Sequence, residues 1–118
     1  EGSTGANVGL IEVTDAATGV VSMAPAMTLD VVRTGTTLLA FGYAHGTASG
    51  ALVEVDRVEP LPTGGRLFHH DGTVSEGSAL FDASGLVVGV HVVDGDTLEG
   101  TGHAVGSDLI AALLAGMQ

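Results

Sequence analysis

Short apolar runs separated by turn residues every 8–12 positions are the feature that most constrains this chain, because runs of that length suit short strands and are too short for a membrane span. Asn7 to Val13 and Val20 to Ala24 read as extended segments, the second stopped by Pro25. Thr37 to Ala44 lies between Gly35 and Gly46. Gly50 to Val58 alternates Leu52, Glu54 and Asp56 against Val53, Val55 and Arg57, the period of two that a strand with one buried face requires. Arg66 to His70, Ala79 to Phe81, Leu86 to Val93 and Thr101 to Val105 complete the set, with loops at Pro60 to Gly65 and Asp71 to Gly77. One helix is expected, opened by Ser107 and closed near Ala115, with Asp108 in its first turn and Leu109, Ile110, Leu113 and Leu114 on one face.

Parallel strands need crossover helices, and this sequence has none to supply. The expected fold is therefore all-β: a small antiparallel six-stranded barrel with a C-terminal helix. With 118 residues the chain supports one such domain. Aromatic residues are only 3%, so Val, Leu, Ile and Ala must fill the core.

Charge narrows the function. Fourteen acidic residues stand against three arginines and no lysine, a net charge of −11. A phosphate backbone needs clustered cations, so neither nucleic acid nor an anionic membrane surface is an expected partner. No apolar run approaches the length of a membrane span. The absence of cysteine removes disulfides, thiolate nucleophiles and Cys-ligated zinc. The chain opens at Glu1 without a basic and apolar leader pattern, which reads as a processed product or a piece of something longer.

Several segments, taken in order, resemble one family. Gly77-Ser78-Ala79-Leu80-Phe81-Asp82-Ala83-Ser84-Gly85-Leu86-Val87-Val88-Gly89-Val90-His91 is similar to the nucleophile-loop hairpin of trypsin-like serine proteases. Thr101 to Ile110 resembles the last strand and terminal helix of the HtrA-like branch. Asn7 to Val13 resembles the strand that carries the catalytic Asp, and Thr37 to Tyr43 the strand that opens the second barrel. The resemblance implies the C-terminal half of a chymotrypsin-like fold. Residues 1–25 would be a tail and strands ending a first barrel, and residues 26–118 the second barrel with its helix. It also implies an extracytoplasmic or secreted setting, although composition fixes no compartment.

Carried over residue by residue, the resemblance fails at the chemistry. Glu76 occupies the nucleophile position, with Ser75 and Ser78 on either side, and Val74 stands where the oxyanion turn wants glycine. Asn7 occupies the acid position, and an amide cannot stabilise an imidazolium. The general-base His belongs upstream, and His45 lies in the wrong loop. A one-residue bulge would bring Ser75 or Ser78 into register; otherwise both are turn residues bonded to local backbone.

Three histidines define a second candidate site. By the same alignment His70, His91 and His103 fall around the primary specificity pocket, where imidazole would donate to a buried carboxylate or amide. The competing reading is three unrelated histidines with satisfied nitrogens. Zinc is not expected, because positions 70, 91 and 103 match no compact motif even with Asp71 or Glu76 added. The Asp94-Gly95-Asp96 loop lacks a calcium pattern and reads as a solvated turn. No cofactor is expected.

Three functions follow from these readings. The first is a non-catalytic protease-like barrel that binds a peptide or protein or serves as a structural module. The second is half of a serine endopeptidase whose general-base domain lies elsewhere, with Glu or Gln preference from His91. The third is a self-associating barrel, a homodimer covering the surface that a lost half once faced.

Overall fold

The computed structural model describes residues 26–44, 46–62, 64–93 and 99–116. The segments expected at 7–13 and 20–24 and the Asp94-Gly95-Asp96 loop lie outside them. A short 3-10 helix, Ala26–Val31, leads into β1, Thr37–Ala44. It is followed by β2 (Thr47–Pro60), β3 (Arg66–His70), β4 (Val74–Ser75), β5 (Ala79–Phe81), β6 (Val87–Val93), β7 (Glu99–Gly100), β8 (Gly102–Gly106) and α1 (Ser107–Gly116).

Six strands close an antiparallel barrel in the order β1-β2-β3-β8-β6-β5, and β4 and β7 pair as a separate two-stranded sheet. This is the all-β barrel with terminal helix expected from the sequence. Two features were not expected. The β4–β7 pair breaks what reads as loop at 71–77, and β2 extends the alternating run at both ends to reach Pro60 at its terminus.

Alternation explains the closure. Along β2, Val53 and Val55 point in and Leu52, Glu54 and Asp56 point out. β6 is buried at six of its seven positions, because the barrel covers one face and α1 the other. The interior holds Leu29, Leu38, Ala40, Val53, Val55, Phe68, Leu80, Val88 and Ala104. A second cluster of Val92, Val105, Leu109 and Ile110 seats α1 on the outside of β6 and β8. Each such large aliphatic or aromatic side chain contributes about 1.5–3 kcal/mol of burial. Leu114, expected on the buried helix face, is exposed instead.

One polar network ties the helix to the barrel. Asp108 accepts from Arg66 Nε at 2.8 Å, and Arg66 also reaches Asp30 in the 3-10 helix at 3.1 Å. The β5–β6 hairpin turns on Asp82, whose carboxylate accepts from the N–H groups of Ser84 and Leu86, while Gly85 takes a positive φ of 83°.

Candidate functional site

The turn that the sequence resemblance singles out is built by β4, the residues Glu76 and Gly77, and the start of β5. Gly77 has a φ of 82°, which lets the chain reverse within two residues. Its N–H donates to the His91 carbonyl at 2.8 Å, and the His91 N–H donates to the Ser78 carbonyl at 2.8 Å. The Ser78 N–H donates back to the Ser75 carbonyl at 3.1 Å. The turn is thus clamped to the middle of β6, and the amides of Gly77 and Ser78 both face protein carbonyls.

The two serines face each other across this turn. Their Oγ atoms lie 2.8 Å apart, and the residues are 3% and 2% exposed. Gly42 of β1 backs onto them; a methyl group there would land on the Ser78 hydroxyl and 2.9 Å from Ser75 Oγ. Glu76, expected at the nucleophile position, is exposed at the turn and folds its carboxylate onto the Val93 N–H at 2.5 Å. It caps the end of β6. Asn7 lies outside the described residues.

The histidines divide into two pairs. His70, the last residue of β3, and His91, in the middle of β6, both point into the barrel and are buried. His70 Nε2 lies 2.9 Å from His91 Nδ1, with the rings 4.9 Å apart. The Gly72 N–H donates to His70 Nδ1 at 3.1 Å. An amide can only donate, so Nδ1 carries the lone pair and Nε2 the proton, which His91 Nδ1 accepts. Both ring nitrogens of His70 are therefore committed inside the protein. Burial, reinforced by the neighbouring His91 ring, pushes the His70 pKa down to about 4, so the ring is neutral at pH 7.

His103 does not join them. It stands directly opposite His69 in the β3–β8 register, on the outer face, with the two rings 5.9 Å apart. His69 Nε2 donates to Glu59 at 2.9 Å, and that hydrogen bond holds the Glu59 carboxyl below its usual range. The structure thus brings together two of the three histidines singled out in the sequence and sets the third against His69. Among the described residues, no three of His, Asp and Glu are grouped so as to hold a metal ion. No helix among them is long and apolar enough to cross a membrane.

A closed six-stranded antiparallel barrel with a short C-terminal helix and a clamped turn before β5 defines the trypsin-like class of fold. The chain is similar in structure to the HtrA-type protease AlgW with decapeptide, at a TM-score of 0.64 and 20% sequence identity. The match covers 81% of this chain and 32% of AlgW, so the chain spans about a third of that protein. No protein-family model matches the sequence, and no curated protein matches it.

Two features of this site escape sequence reasoning. The Ser75–Ser78 pair is set by the turn conformation, and Glu76 finds its partner seventeen residues away at Val93. The Val-Ser-Glu-Gly-Ser run marks the turn but names neither partner.

Proposed function

We propose that the chain is a non-catalytic protease-like barrel that acts as a binding or structural module. The observation that carries this reading is the closed Ser75–Ser78 pair. Acyl transfer needs a hydroxyl that a substrate carbonyl can approach and a base that takes its proton. Each hydroxyl here is bonded to the other and sealed from solvent by the Gly42 backbone. The side chain at the nucleophile position is a carboxylate already engaged by a backbone N–H. His70 has no ring nitrogen left to act on a ligand. A peptide is the partner class favoured by likeness to AlgW, whose structure is described with a decapeptide.

The test is a serine-directed fluorophosphonate probe together with a panel of fluorogenic peptides. No labelling and no cleavage are expected. Covalent labelling at Ser75 or Ser78 overturns the reading.

A second reading is favoured by one observation: AlgW is about three times as long as the matched region. On this reading the chain is half of a serine endopeptidase, and a separate polypeptide carries the general base and completes the site between two barrels. Specificity for Glu or Gln would then fall to His91. Supplying a separately expressed first barrel in trans and recovering peptide cleavage would establish it, and Ser75→Ala or Ser78→Ala would have to abolish that cleavage.

A further inference from the structure

The main chain of β2 points its hydrogen-bonding groups to alternate sides. The Glu54 carbonyl accepts from the Asp71 N–H at 3.2 Å, and the Glu54 N–H donates to Asp71 Oδ1 at 3.0 Å, so both groups of Glu54 face away from β1. Val55 does the opposite: its N–H donates to the Thr36 carbonyl and its carbonyl accepts from Gly35. The β1–β2 register runs unbroken from Thr37 and Glu54 to Ala44 and Thr47. Alternation along that ladder puts the N–H and carbonyl of Leu52, Gly50 and Ala48 on the same side as those of Glu54. β3 does not reach them, because its pairing with β2 ends at Val55 and Asp71 takes the next position. Among the described residues, no strand pairs with this edge between Ala48 and Leu52. The burial pattern marks the same gap. The inward series of β2 is buried at Val53 and Val55, where Gly72 and β3 flank it, and exposed at Ala51 and Ser49. Open edges are usually blunted by lysine, proline or a bulge, and Thr47 to Leu52 contains none of these.

We infer that the edge of β2 from Ala48 to Leu52 binds an extended peptide as an added antiparallel strand, with a basic residue at the peptide's N-terminal end. The inference rests on the binding-module reading and names its site. An extended backbone is the ligand that matches a row of alternating donors and acceptors. Charge sets its direction. Glu54, Asp56 and Asp71 stand exposed at one end of the gap, and no ion pair among the described residues engages them. The opposite end, at Gly46 and Thr47, carries no acidic residue. An antiparallel peptide continues the line of β3 and brings its N-terminal end to the three carboxylates, where an ammonium group is held. A parallel peptide would bring its C-terminal end there instead.

Register sets the side chains. Peptide residues opposite Leu52, Gly50 and Ala48 exchange both hydrogen bonds with them and face outward. Gly50 leaves the middle place bare: a Cβ there would lie 3.1 Å from the Phe41 ring and 3.8 Å from Leu39 Cδ1. A large apolar side chain on the peptide therefore crosses Gly50 and packs on Phe41. Leu52, 72% exposed, gives the first position an apolar neighbour. The preferred segment thus reads as a basic residue followed by apolar residues at alternate positions.

The probe is the peptide Lys-Val-Thr-Phe-Thr-Val, labelled with fluorescein at its C-terminus and titrated with the full 118-residue chain by fluorescence anisotropy. Saturable binding is expected. By NMR the amides of Ala48, Gly50 and Leu52 should gain protection from exchange, while those of Ser49 and Ala51, already turned to β1, should not change. N-methylation of the peptide's Phe, whose N–H faces the edge, should weaken binding about tenfold, and N-methylation of either Thr should leave it within about twofold. Ala48→Pro removes an edge N–H without touching a bond to β1 and should also weaken binding about tenfold. Glu54→Lys changes an exposed side chain, so circular dichroism should match the parent, and binding should fall about fivefold. Absence of saturable binding overturns the proposal. So does binding that neither the N-methyl Phe nor Ala48→Pro weakens, or self-association through these amides that excludes the peptide. A chain that binds in this way yet is labelled by a fluorophosphonate keeps this inference and loses the non-catalytic reading. A chain that does neither keeps that reading and loses this inference.

Discussion

His70 and His91 are joined nitrogen to nitrogen at 2.9 Å inside the barrel, and the Gly72 N–H fixes which ring donates. His70 is neutral when the protein is folded. A second proton cannot be added to its ring without breaking the bond from the Gly72 N–H.

Acid should therefore unfold the barrel early. In the unfolded chain His70 titrates near 6.5, and in the folded chain near 4. Between those values the unfolded state binds the proton and the native state does not, so stability is full above about pH 6.5 and falls as pH drops toward 4. The loss from this residue is on the order of 3 kcal/mol. Urea titrations at a series of pH values measure it. A flat midpoint across this window would contradict the neutral, buried His70.

The serine pair has its own signature. Ser78→Ala removes the partner of a buried Ser75 hydroxyl and should cost about 1–3 kcal/mol. Replacing both serines by alanine removes both polar groups, and the double variant should lie closer to the parent than the sum of the singles predicts. Thermal or urea unfolding of the four proteins completes the cycle. Strict additivity would mean the two hydroxyls do not interact.

Gly42→Ala tests the packing behind the turn. The added methyl would fall on the Ser78 hydroxyl and 3.0 Å from Ser78 Cα, so the turn must move. Overpacking of this kind costs about 1–3 kcal/mol. A parent-like urea midpoint would show that the turn yields freely.

Arg66 anchors two carboxylates of different worth. Asp108 is nearly buried, accepts from the Arg66 Nε and backbone N–H, and sits in the first turn of α1. Asp108→Ala should cost about 1–3 kcal/mol, because it leaves a partly buried guanidinium short of a partner. Asp30 is exposed, and Asp30→Ala should stay within about 0.5 kcal/mol. Unfolding free energies of the two variants decide whether burial sets the difference.

Much of the architecture is legible because a strand writes its orientation in alternate residues. Val53 and Val55 against Leu52 and Glu54 state which face of β2 is covered. The run of β6, apolar but for His91, announces a strand covered on both sides. Local pattern does not carry register. That His69 and His70 face opposite ways is plain from adjacency, but which of them His103 meets depends on the β3–β8 pairing, some thirty residues apart. The short strands β4 and β7, two residues each, are below any periodic signal. The facing of β1 hides for a related reason: Leu39, Phe41 and Tyr43 are as apolar as Leu38 and Ala40, and only the structure shows that the even positions are buried and the odd ones face outward.

The ring of strands closes through β5, which is three residues long and pairs over three positions with each neighbour. Every other junction in the circle is longer or rests on a longer strand. Detaching this one tripeptide turns a cylinder into a curved ribbon whose two rims, β1 and β6, both offer unpaired amides. Leu80, wholly enclosed, acts as the bolt on that hatch. Amide exchange in β1 and β6 on the sides facing β5 will report how often it slides.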